Sequence, residues 1–179
     1  MLSIPDWSVG GFLPPVDERN PVSRNRSPYL TTCRELIEQF ATTQRRIEIL
    51  DGFLRFRKRL HACGIRDGVQ WINGSFVEKK EEIRKEPPND VDVVTILRAS
   101  EGKTFDKFWN SCAELFDQET VKKEFLTDSY YILIDDGYTL NQLLDEVSYW
   151  CGLWSHTREF VWKGFLQIPL SVPFCGLLC

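Results

Sequence analysis

The chain has 179 residues, a formal charge of −4 and 42% apolar residues, including six Trp and twelve Phe, enough to bury a core and to exclude a disordered or low-complexity protein. The small negative charge excludes a strong global field for nucleic acid or an anionic membrane. Six scattered cysteines without a C-x-x-C pair, and only His61 and His156 beside them, exclude a zinc site and a small disulfide scaffold, which leaves free thiols in a cytoplasmic protein.

Residues 1–29 carry Pro5, Pro14, Pro15, Pro21 and Pro28 and few periodic apolar positions. This predicts an extended, turn-rich N-terminal arm ahead of a single domain over 30–179. The start has no basic cluster leading into an apolar run, so no secretory signal is expected. Thr31 or Thr32 can cap a helix in which Leu36, Phe40, Ile47, Leu50 and Leu54 recur to about Leu60. Gly52 is its weak point, so it reads as one long helix or two. Arg55, Arg57, Lys58 and Arg59 read as a solvated helix face rather than a nucleic-acid patch.

Gly64 and Gly68 bracket a turn, and 69–73 reads as a short strand followed by Gly74-Ser75 and a charged stretch that Pro87-Pro88 breaks. Residues 90–97 form the clearest strand, with Val91, Val93, Thr95 and Leu97 alternating against Asp90, Asp92, Val94 and Ile96. After a turn at 100–103, Phe105, Phe108, Trp109, Cys112 and Phe116 mark an amphipathic helix. A strand over 128–134 ends at Asp135-Asp136-Gly137, where the two acids read as turn formers. A helix over 140–150, a Trp-rich connection and a strand over 164–170 complete the order. The apolar stretch 164–179 is too short, and too interrupted by Pro169 and Pro173, to span a bilayer. The order predicts an α/β (α+β) fold with a mixed central β-sheet flanked by helices.

Residues two apart on a strand share a face, roughly 6.6 Å apart. Asp90 and Asp92 therefore project together and can share a hard divalent cation, Mg²⁺ or Mn²⁺. Alternatively they are exposed acids on a half-solvated strand. Gly74-Ser75 after a short strand lets the backbone approach a phosphate, with the Ser75 hydroxyl as a donor. Alternatively Ser75 and Glu78 form a capping box at a helix start. Asp128 completes a three-acid cluster if its strand lies beside 90–97, and otherwise is a strand-end acid or cap.

Strand, Gly-Ser opening a helix, Asp-x-Asp in the next strand and a single Asp on a later one: this order resembles the nucleotidyltransferase (polymerase-beta-like) superfamily. Asn73-Gly74-Ser75-Phe76-Val77 and Pro88-Asn89-Asp90-Val91-Asp92-Val93-Val94 are more particularly similar to a family of small bacterial nucleotidyltransferase-like proteins. Leu13-Pro14-Pro15, Arg45-Arg46, Asp128-Ser129-Tyr130-Tyr131 and Lys163-Gly164 extend the similarity over most of the chain. Ser75 and Asp90 lie farther apart than is usual in the superfamily, by the length of the charged stretch 78–88.

The resemblance implies a nucleotidyltransferase fold and transfer of a nucleoside monophosphate from an NTP, as in ATP-binding members, to a hydroxyl on RNA, protein or a small molecule. It implies two Mg²⁺ or Mn²⁺ ions bridged by Asp90 and Asp92, with Asp128 holding the metal near the attacking oxygen, and Gly74 and Ser75 on the β/γ phosphates. Lys79, Lys80 and Arg84 either add charge there or lie solvated. A toxin–antitoxin or phage-defence setting, with a protein partner encoded nearby, is implied as well. In that setting the same fold can serve as an interaction module without turnover. A metal-dependent nuclease built on Asp90 and Glu101-Gly102-Lys103 is a third reading, but Ser100 and Gly102 favour a turn where that chemistry needs a strand. His156, Trp150, Trp154 and Trp162 either line an acceptor or base pocket or cover the sheet.

Overall fold

The computed structural model describes residues 4–98, 112–135 and 137–171. In chain order its elements are β1 (Tyr29–Leu30), α1 (Cys33–Phe40), α2 (Gln44–Ala62), β2 (Gly68–Asn73), α3 (Lys80–Ile83), β3 (Val91–Arg98), α4 (Gln118–Phe125), β4 (Thr127–Ile134), α5 (Leu140–Trp154) and β5 (Leu166–Pro169). The helix expected around Phe105, Phe108 and Trp109 lies outside the described residues, as do Glu101-Gly102-Lys103 and Asp136. Within them, Cys112 is buried and a 3₁₀ turn spans Ala113–Phe116.

Two helices follow Thr31, and they part before Gly52. Thr32 caps α1 in a reciprocal box, accepting from the Glu35 N–H while the Glu35 carboxylate accepts from the Thr32 N–H at 2.9 Å. Thr43 caps α2, so the break falls at 41–43. Gly52 sits inside α2 because a neighbour needs it small. A Cβ at 52 would lie 2.2 Å from the Phe125 carbonyl oxygen at the end of α4.

The sheet is mixed, in the order β1-β5-β2-β3-β4. β3 runs parallel to β4 and β1 to β5, while β2 is antiparallel to both its neighbours. This is the mixed sheet with flanking helices that the element order predicts. Alternation along β3 feeds two cores. Val91, Val93 and Leu97 join Phe40, Phe53, Phe56 and Leu60 under α1 and α2, and Val94 joins Trp71, Ile132 and Phe165 under α5. Burying each of these large side chains contributes about 1.5–3 kcal/mol before entropy, so the two faces together hold β3 in register.

Two expectations about α2 and what packs against it need correction. Arg57 does not belong to a solvated basic face. It is almost fully buried beside Phe53, donating to the Gln70 side chain and to the Pro169 carbonyl at 2.9 Å. Its place one helical turn from Phe53 and Leu60 puts it on the core face of α2. Arg55, Lys58 and Arg59 are exposed, as expected. The second correction is α4, which has no counterpart among the expected elements.

The arm is extended and turn-rich, yet it is fastened down. Ile4 and Leu13 are buried, the Trp7 indole donates to the Val77 carbonyl at 2.8 Å, and the Gly164 N–H donates to the Leu13 carbonyl at 2.7 Å. Among the described residues, no helix is long and apolar enough to cross a membrane.

Candidate functional site

Register brings the acids together. Asp92 stands opposite Asp128 across the parallel β3–β4 pair, and Asp90 immediately precedes β3, two residues before Asp92. Asp92 is also the register partner of Asn73, the last residue of β2, so Gly74-Ser75 begins beside it. All five residues singled out in the sequence, Gly74, Ser75, Asp90, Asp92 and Asp128, line one cleft of about 590 Å³.

The cluster carries strong electrostatic tension. Burial, and after it the neighbouring Asp90 and Asp128, push the Asp92 carboxyl up to about 6, against the opposing pull of Lys163 and Lys122. Lys122 stands between the other two acids, with Nζ 2.8 Å from Asp90 Oδ2 and 2.8 Å from Asp128 Oδ2. Hydrogen bonds to Asp128 first and Asp90 second hold its proton above the ordinary lysine range. One turn earlier on α4, the Gln118 amide donates to Asp128 Oδ1. Lys122 and Gln118 have no role in the sequence reading, because both belong to the unexpected α4. Eight residues give only one apolar repeat, Val121 to Phe125, too little for a period to register.

Gly74 has a φ of 81°, and a Cβ there would lie 2.0 Å from Asp92 Oδ2. The glycine is needed both for its backbone and for the carboxylate packed against it. The capping box expected of Ser75 and Glu78 does not form, nor does a regular helix open there. Ser75–Val77 is a 3₁₀ turn and Glu78 is extended. Glu78 has a stronger partner than a backbone N–H: its carboxylate meets Lys163 Nζ at 2.5 Å, with both side chains 6% exposed. Lys163 also donates to the Gly74 carbonyl at 3.2 Å.

Arg46 secures the rest of this segment. Its buried guanidinium donates to the carbonyls of Phe76 and Glu78, each at 2.6 Å, and pairs with the Glu81 carboxylate at 2.7 Å. The charged stretch thus folds into a fastened loop. Lys80 is buried against Glu86 and the Pro87 carbonyl, Lys79 pairs with Glu82, and Arg84 with Glu159. Of these three cations, Lys80 and Arg84 line the cleft.

A protein-family model matches residues 5–169, a span that contains every residue of the cluster. The chain belongs to DUF6932, a family of unknown function. No curated protein and no solved structure matches it.

In this DUF6932 chain the cleft is also lined by aromatic residues, Tyr130, Tyr149, Trp150 and Trp154. Trp150 and Trp154 belong to the second core and also border the cleft, so cover and pocket are the same residues. His156 borders it too, while Trp162 is exposed and outside it. Asp135 accepts from the Gly137 N–H at 2.9 Å, the turn-forming role expected of it.

Among the described residues, no group of three or more His, Cys, Asp or Glu side chains stands ready to hold a metal ion. Asp90 and Asp128 close on the Lys122 ammonium. The chemistry of the donor set nonetheless suits a hard divalent cation. Asp90 and Asp128 already share a side-chain cation, and Asp92 stands beside them, raised first by burial and then by the other two acids.

Proposed function

We propose that this DUF6932 chain has the nucleotidyltransferase fold and is a metal-dependent nucleotidyltransferase, moving a nucleoside monophosphate from an NTP to an acceptor hydroxyl on RNA, protein or a small molecule. The observation that carries this reading is the pairing of Asp92 with Asp128 in register, with Asp90 beside them and Gly74 packed on Asp92, in one cleft. Asp90, Asp92 and Asp128 would hold Mg²⁺ or Mn²⁺; two such ions, when bound, neutralise triphosphate charge and lower the pKa of the attacking hydroxyl. Ser75 lines the cleft and supplies a hydroxyl donor for the β/γ phosphates, and Lys163 keeps the Gly74 loop in place. Tyr130, Trp150 and Trp154 offer a wall on which a base can stack.

The test is incubation of the protein with each labelled NTP, Mg²⁺ or Mn²⁺, and a mixture of cellular RNA and protein. Label is expected in one acceptor class, and is expected to vanish in Asp128→Ala and in the combined Asp90→Asn/Asp92→Asn variant while both stay folded. Unchanged labelling in either variant would sink the assignment.

One observation favours a second reading. The bridge from Lys122 to Asp90 and Asp128 satisfies two of the acids without metal, as suits a nucleotidyltransferase-like interaction module without turnover. Such a module would bind a protein partner encoded nearby, in a toxin–antitoxin or phage-defence setting. Calorimetric titration with NTP, with and without Mg²⁺, separates the two readings: metal-dependent binding supports the enzyme, and its absence the module.

A further inference from the structure

α4 places two donors one turn apart on one face, and both reach the acid cluster: Gln118 to Asp128 and Lys122 to Asp128 and Asp90. Lys122 is half exposed, and it lines the same cleft as the acids. Its ammonium therefore has two neighbourhoods within reach, the carboxylates it now bridges and the open cleft beside them. The ammonium occupies Asp90 Oδ2 and Asp128 Oδ2, and a divalent cation held by these two acids would compete with it for the same carboxylates.

We propose that Lys122 is a built-in competitor for the metal: its ammonium must leave Asp90 and Asp128 before a divalent cation binds there, and it then turns to an anionic ligand in the cleft. Metal and triphosphate binding become coupled through one side chain. The metal releases Lys122 to the phosphates, and the phosphates draw Lys122 off the metal's ligands. Linkage makes the coupling reciprocal, so each ligand tightens the other by the same factor. The aliphatic stem of Lys122 lets this occur without movement of β3 or β4. The inference rests on the metal portion of the reading above, and not on nucleotide transfer.

The experiment titrates Mn²⁺ alone into the full chain by calorimetry, then repeats the titration with saturating nonhydrolysable ATP analogue. Lys122→Met is compared with wild type, and Lys123→Met serves as a control that removes an equal charge from an exposed neighbouring residue. Two partly exposed ion pairs together correspond to about a tenfold change in affinity. Mn²⁺ alone is therefore expected to bind Lys122→Met on the order of tenfold more tightly than wild type, with Lys123→Met close to wild type. The analogue is expected to tighten Mn²⁺ binding in wild type and to do so much less in Lys122→Met. In the absence of metal, Lys122→Met is expected to melt at a lower temperature, and Mn²⁺ to raise its melting point by more. Equal or weaker Mn²⁺ binding in Lys122→Met, an equal gain in Lys123→Met, or no Mn²⁺ binding by any of the three overturns the competition. Failure of labelled transfer with the Lys122→Met gain intact removes the enzymatic reading and leaves the competition standing.

Discussion

Asp92 fills the space that Gly74 leaves open: a Cβ at 74 would lie 2.0 Å from Asp92 Oδ2, on a residue whose φ is 81°. Gly74→Ala meets both problems at once. The backbone strain alone costs about 1–3 kcal/mol, and the carboxylate must also move. Denaturant unfolding is expected to show that loss, while calorimetry shows a proportionally larger fall in metal-dependent nucleotide binding. An alanine variant with wild-type stability would contradict the contact.

Asp92 also sets a pH dependence. Its folded value, about 6, lies above the usual 3.8, because burial and then Asp90 and Asp128 oppose its ionisation. A raised value means that the folded state holds the proton more tightly than the unfolded state. The resulting stability is full below about pH 3.8 and is lost as pH rises through 6, a change of at most about 3 kcal/mol. In chelator, Asp92→Asn is expected to be more stable than wild type above pH 6 and to flatten this part of the profile between pH 4 and 7. Urea midpoints across that range decide it, and an unchanged slope in the variant would assign the effect elsewhere.

The acids were legible in the sequence because β-structure is periodic. Valines alternating with Asp90 and Asp92 mark a strand with two different faces, and Asp128 sits at the start of a second strand rich in Tyr and Ile. Pairing from the expected starts, 90 and 128, would set Asp90 against Asp128; the strands instead pair in parallel with Val91 opposite Thr127, which brings Asp92 to Asp128. The residues that manage the charge were not legible, since each depends on a contact distant in sequence. Lys122 matters only because a short helix delivers it to β3 and β4. Arg57 looks like any surface cation until Gln70 and Pro169 close over it. Ser75 and Glu78 have the spacing of a capping box, but Lys163, 85 residues from Glu78, outcompetes the local hydrogen bond. Gly52 reads as a helix weakness because the Phe125 carbonyl that requires it lies in another element.

The Glu78–Lys163 pair is the next point at which structure and stability can be separated. Both side chains are 6% exposed, so removing one partner leaves a charge buried without its counter-ion. Lys163→Met and Glu78→Gln are each expected to cost about 3–5 kcal/mol. The double variant is expected to cost less than the sum of the two, with a coupling of about 1–3 kcal/mol. A double-mutant cycle by urea unfolding measures this directly. Strict additivity would mean that the two side chains do not depend on each other.

Gly52→Ala reverses an ordinary expectation. In an open helix the change would stabilise by about 1 kcal/mol through helix propensity. Here the new Cβ would sit 2.2 Å from the Phe125 carbonyl oxygen and 2.8 Å from its carbon, both backbone atoms that cannot rotate aside. α4 has to move away from α2, and it carries Gln118 and Lys122 with it. The variant is therefore expected to lose about 1–3 kcal/mol, the usual range for overpacking, despite the better helix former. Thermal unfolding gives the sign, and a melting point above wild type would mean that α2 and α4 stand farther apart than this contact allows. Mn²⁺ titration of the same variant tests the consequence at the site: a shift of α4 away from α2 disturbs the Lys122 grip on Asp90 and Asp128, so the metal is expected to bind more tightly even as the fold weakens.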